Sequence, residues 1–300
     1  MKTKQLLLSS AILIIALSLS ITGCRKDKPK DPADTDTSGA EDNSLADKSF
    51  EDMGQISNEA ASPGGVKNYK LAGYDGLLSH CIDTIIRDTV NRRITVDFGP
   101  TNCLCHDNRY RRGKIFISYT LGYHGFGYWD SLSNITVTTT DPITQVNTYF
   151  VNDNQIIGTK SITNKGRNSA GHLNWDLNVN GKIIKANNQG TITWTSSRNR
   201  EWIAGYITPF QWGDDIYGVT GTASGTSANG TQFSMTITSQ LLRKMSCPQH
   251  FVSGTFDFTP GTKPVRHVDF GYSLSPAPSG SCDSWISITI NSNTYYKQLP

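Results

Sequence analysis

Beyond residue 62 this 300-residue chain contains one glutamate, Glu201, and only seven alanines. Scarcity of two strong helix formers argues against a helical body. The chain also lacks a Gly-x-Ser-x-Gly elbow, a His-Glu-x-x-His pair and a P-loop, so it carries no recognisable hydrolase, zinc-protease or nucleotide-binding motif. Its apolar run, residues 6–21, includes four serines. That is short of the roughly 20 apolar residues a membrane-spanning helix needs. Residues 63–300 hold 21 basic against 15 acidic groups. The excess is too small for the basic footprint of a nucleic-acid binder, and no nucleic-acid partner is expected.

What is abundant is threonine, 28 of them in residues 63–300. Threonine favours a pleated, half-buried surface. The stretches RITVDFG (93–99), KIFISYT (114–120), NITVTTT (134–140), TITWTSS (191–197), FSMTITS (233–239), GTFDFTP (254–260) and WISITIN (285–291) alternate apolar with polar residues. Turn signals lie between them at 153–154, 164–166, 180–181, 229–230, 260–261 and 291–293. The expectation is an all-β domain of roughly thirteen to fifteen short strands, either an antiparallel β-sandwich or a large multi-stranded antiparallel sheet with short hairpin turns. The polar half of each strand is mostly Thr, Ser and Asn, which predicts one solvated face. A transmembrane barrel is disfavoured, because it would need longer spans with a lipid-facing apolar band.

The amino end is organised differently. Lys2 and Lys4 precede the apolar run, which closes on Ile21-Thr22-Gly23-Cys24. The pattern is that of a secretory signal, and its end resembles the lipobox of bacterial lipoproteins. The resemblance implies cleavage before Cys24 and acylation of its thiol, so the membrane is the implied partner through a lipid anchor. One acyl chain holds a protein marginally and two or more hold it firmly. Residues 25–62 carry ten acidic and five basic groups, with only Leu45, Phe50, Met53 and Ile56 as sizeable apolar residues. Such a segment is expected to be a disordered tether, with at most a helical turn at 50–56. The expected division is signal 1–23, anchored linker 24–62 and β-rich exported domain 63–300.

The segments FGPTNCLCHDNRYRRGKI, YFVNDNQIIGTKSITNKG, REWIAGY, VTGTASGT and VSGTFDFTPGTKPVRHVDFG are similar to parts of an uncharacterised lipoprotein family of the Bacteroidota. The similarity implies a β architecture and an outer-membrane address. It brings no catalytic residue with it.

With Cys24 acylated, Cys81, Cys103, Cys105, Cys247 and Cys282 remain. In an exported protein they are expected to pair, Cys247 with Cys282 and Cys81 with either Cys103 or Cys105. The rival reading is a metal held by Cys103-Leu104-Cys105-His106, but structural zinc favours wider spacing and a fourth ligand. Nothing in the sequence calls for a cofactor. Asp214-Asp215 beside Trp212 is the best candidate for the paired carboxylates of a glycan hydrolase. A solvated turn is the plainer reading. GYHGFGYWD (122–130) sets Tyr123, Phe126, Tyr128 and Trp129 among glycines, either as an aromatic platform for a glycan or another envelope component, or as core filling at a glycine-rich edge. Arg109, Arg111 and Lys114 form a basic cluster that could meet phosphate or carboxylate groups, or lie on a solvated strand. The balance favours a non-catalytic binding or structural module, with a glycan-active hydrolase near Trp212 or a carrier of an apolar ligand as alternatives.

Overall fold

The computed structural model describes residues 34–62, 78, 81–125, 127–208, 212–247, 251–271, 282–283 and 285–298. The signal region with Cys24, and also Phe126, lie outside the described residues, as does the side chain of Trp212. Among the described residues of the compact unit Asp36–Pro300, one α-helix, α1 (Ser38–Ala61), precedes sixteen strands. The first seven are β1 (Thr84–Asp88), β2 (Arg93–Asp97), β3 (Cys103–Leu104), β4 (Tyr110–Arg112), β5 (Lys114–Tyr119), β6 (Asn134–Thr138) and β7 (Phe150–Val151). Five long strands follow: β8 (Asn154–Arg167), β9 (Leu173–Ile184), β10 (Thr191–Ala204), β11 (Ile216–Thr226) and β12 (Gln232–Lys244). The last four are β13 (Ser253–Pro260), β14 (Arg266–Asp269), β15 (Trp285–Ile290) and β16 (Asn293–Gln298).

All sixteen belong to one antiparallel sheet with a thirteen-strand path, β1-β2-β5-β6-β8-β9-β10-β11-β12-β13-β14-β15-β16, while β3, β4 and β7 branch from β8. Among the described residues the edge strands β1 and β16 do not pair, so the sheet is not closed into a barrel. The all-β expectation holds, in its single-sheet form. Along β10 burial alternates: Ile192, Trp194, Ser196 and Arg198 face inward, while Thr191, Thr193, Thr195 and Ser197 face solvent. Threonine therefore supplies the wetted face, as its abundance suggested.

Two turn signals prove to be strand interior. Gly166 sits at a bulge of β8, with φ of 75°. Asn180-Gly181, a strong hairpin signal, lies in mid-β9 with Gly181 opposite Gly158. The reason is close packing: a Cβ on Gly181 would lie 2.3 Å from Cζ of Phe50. Glycine is needed there so that the helix can approach the sheet. Strand continuing across such points explains why β8 and β9 run to 14 and 12 residues instead of staying short.

The tether expectation is corrected for residues 38–61. They form a 24-residue helix in which only Ser38 and Glu41 are exposed. Phe50, Met53 and Ile56 are fully buried, and Phe50 stacks on Trp194 with ring centroids 5.6 Å apart. The helix thus belongs with the β-rich unit. Its six carboxylates against one lysine had argued for solvation. Here the sheet itself provides the countercharges.

Cys81–Cys105 and Cys247–Cys282 are disulfides, and Cys103 lies outside both. The open choice for Cys81 thus falls to Cys105. Two disulfides fit an oxidising, exported environment. No helix among the described residues is long and apolar enough to cross a membrane.

Candidate functional site

Inward-facing positions on the long strands place cations against α1. Lys160 Nζ donates to Glu51 Oε2 at 2.8 Å and to the Phe50 carbonyl at 3.1 Å. Arg200 and Arg243 approach the other Glu51 oxygen at 3.5 and 3.7 Å. Arg198 approaches Asp47 at 3.4 Å. Asp52 meets Lys48, Arg111 and Arg109. At the amino end of α1, Asp42 accepts from Lys185 at 2.9 Å and from the Ala228 N–H at 2.7 Å. At the carboxyl end, Arg87 donates to the Ala60 carbonyl at 2.9 Å. A cation at this terminus also complements the helix dipole.

Burial alone would raise the Glu51 pKa, but Lys160, Arg200 and Arg243 outweigh it and hold the carboxyl at about 2. Asp52 is likewise held low against burial by Lys48, Arg111 and Arg109. Asp47 goes the other way, because burial exceeds the pull of Arg198. Burial brings Lys48 down to about 8 despite Asp52. These are buried ion pairs, expensive to form and more expensive to break.

Packing around α1 is uneven. Between Phe50 and the β8–β10 wall the cavity amounts to only about 20 Å³. Toward β12, β13 and β16, a cavity of about 590 Å³ opens. Ligand pockets commonly fall at roughly 300–1,000 Å³. Leu45, Phe251, Phe256 and Phe270 are among its lining residues. The Phe251–Phe270 and Phe256–Phe270 ring planes are inclined by 69° and 48°, giving a faceted apolar wall. Ser38, Glu41, Gln189, Asn229 and Gln298 on its rim are exposed, so the cavity reaches the surface.

The residues singled out from sequence distribute as follows. Arg111 is fully buried and grips Asp107 with two bonds of 2.7 Å besides approaching Asp52, so the solvated-strand reading is wrong for it. Lys114 on β5 pairs with Asp97 on the neighbouring β2 at 2.9 Å. The basic cluster therefore serves the protein's own carboxylates. The aromatic stretch divides. Tyr128 is core, and its hydroxyl bonds to Ser57 at 2.7 Å and Asn58 at 2.8 Å on α1. Tyr123 and Trp129 are exposed, and the Trp129 ring lies edge-on to Tyr128. They do not reach the cavity wall.

Asp214 stands exposed on a short 3-10 turn and accepts from the Thr208 hydroxyl at 2.6 Å. Asp215 is buried and accepts from Trp202 Nε1 at 3.0 Å and Tyr217 at 3.4 Å. Burial lifts the Asp215 carboxyl to about 6, opposed by the Trp202 and Tyr217 bonds and aided by Asp214. Among the described residues no group of three or more His, Cys, Asp or Glu is placed to hold a metal ion.

Sequence reasoning missed the cavity because half of its wall is α1. The available signal was charge balance: ten acidic against five basic groups in residues 25–62, and 21 basic against 15 acidic in residues 63–300. Comparison with protein-family models, curated proteins and solved structures returned no match.

Proposed function

We propose that this protein is a lipid-anchored lipoprotein of the cell envelope, and of the outer membrane in a diderm host, whose helix-covered sheet is a non-catalytic ligand-binding module. The observation that carries the binding role is the 590 Å³ cavity between α1 and the three phenylalanines. The envelope address rests on the lipobox-like Cys24 and is supported by the two disulfides. Intact mass of the amino-terminal peptide is expected to show Cys24 carrying diacylglycerol. Cys24→Ala is expected to move the protein from detergent to the aqueous phase. Native mass spectra of protein purified from its source are expected to show a one-to-one small-molecule adduct. Spectra holding bare protein alone, with no ligand in the organic extract, would overturn the binding role.

One observation favours a second reading, a glycan-active hydrolase. A buried Asp215 that keeps its proton up to about 6, next to an exposed Asp214, is a pairing that could divide acid and base roles. Hydrolysis of a glycan panel that vanishes in Asp215→Asn would establish it in place of the first.

A further inference from the structure

Resting on the binding-module reading, we infer that the cavity takes a single-chain anionic amphiphile, its acyl chain against Leu45, Phe251, Phe256 and Phe270 and its head near Lys48, Arg109 and Arg243. Three features lead to this ligand class. The apolar wall is faceted, since its rings are inclined to one another by 48° and 69°, and a bending chain fits such a wall better than a flat ring system. The apolar side chains of Leu45, Phe251, Phe256 and Phe270 share the lining with charged groups, so a ligand with one apolar and one polar end suits it. Five cations line the cavity against four carboxylates, and burial keeps Asp47 protonated more readily than an ordinary carboxyl. The wall is therefore net positive. Arg109 and Arg243 already share Asp52 and Glu51 with other cations, and a guanidinium has donors enough to add a ligand carboxylate or phosphate to such a pair.

Titration calorimetry of the full chain carrying Cys24→Ala, which has no acyl group of its own to compete, tests this with octanoate, decanoate, dodecanoate, decanol and decyltrimethylammonium. Affinity for the carboxylates is expected to rise about fourfold for each added methylene until the cavity is full, from the transfer free energy of one CH₂. Decanoate is expected to bind at least tenfold more tightly than decanol or decyltrimethylammonium. Leu45→Trp fills the cavity instead of emptying it, and is expected to abolish binding with an unchanged urea midpoint. Decanol or the ammonium binding as tightly as decanoate would overturn the anionic head yet leave the binding module standing. Affinity independent of chain length, or undiminished in Leu45→Trp, would remove both. An absence of binding by all five probes would overturn the amphiphile and leave the binding module to be decided by the native mass spectra.

Discussion

Changing Glu51 to Gln distinguishes a helix held by charge from a tether that merely lies nearby. Glu51 faces Lys160, Arg200 and Arg243, whose side chains are 2%, 11% and 9% exposed. Its carboxyl is held at about 2 against a reference of 4.5. At about 1.4 kcal/mol per pKa unit, that depression corresponds to about 3 kcal/mol of folded-state stability. Removing the charge also leaves three buried cations short of a partner, a loss of about 3–5 kcal/mol in comparable cases. Glu51→Gln is therefore expected to lower the unfolding free energy by about 3–5 kcal/mol. Lys160→Met leaves Glu51 with two arginines and should cost less. The double variant should recover at least about 1 kcal/mol relative to the sum of the two, because the lysine no longer needs the carboxylate. Urea unfolding followed by tryptophan emission suits the measurement. Trp194 stacks on Phe50 and reports the helix directly, and urea leaves ion pairs unscreened. A Glu51→Gln variant within about 0.5 kcal/mol of wild type, with additive doubles, would refute the charge-held helix and return residues 38–61 to the tether.

Acid should release the same helix. Because the folded-state pKa of Glu51 is depressed, its contribution is complete above about 4.5 and lost as pH falls toward about 2. Asp52 adds in the same direction, while Asp47, with a raised pKa, acts oppositely. Stability measured across that window should fall with a slope larger by nearly one proton in wild type than in Glu51→Gln; equal slopes would count against the pairing. Gly181→Ala sets a methyl into Phe50 and is expected to cost about 1–3 kcal/mol, with Phe50→Leu relieving part of it in the same chain. Additive losses in the double would exclude that contact. Non-reducing peptide mapping should recover Cys81 linked to Cys105 and Cys247 linked to Cys282, with Cys103 alkylated only after denaturation, and a Cys81–Cys103 peptide would contradict the pairing. Emission from Trp202 should titrate near pH 6 through its bond to Asp215, and the transition should disappear in Asp215→Asn.

How much of this was legible depended on sequence distance. The strands were, since alternation is a local property, and Thr191, Thr193 and Thr195 do line the wetted face. The hairpin between β15 and β16 was, because Asn291 takes a positive φ that asparagine tolerates. The interior of β9 was not. Asn180-Gly181 carries a turn signal, and only Phe50, far away in sequence, explains its glycine. The helix was least legible, since each acidic residue reads as solvated until its partner is known. Lys160, Arg198, Arg200 and Arg243 lie about a hundred or more residues further on. Of the candidate site, Tyr123 and Trp129 are exposed where core filling at a glycine-rich edge was the favoured reading, and the cavity lies elsewhere, on a wall shared between two parts of the chain that were read as separate.

The position of α1 at the front of the chain sets an order of assembly. Asp42 waits for the Ala228 amide, 186 residues later, and Glu51 for Lys160, 109 residues later. A chain delivered amino end first must carry its acidic segment naked until most strands have paired. Contacts of such long separation form slowly and leave intermediates with sticky surfaces. Docking of the helix must wait for Lys160 and Trp194 to emerge, and a nascent chain halted before β8 would carry Glu51 and Asp47 without the countercharges of the long strands.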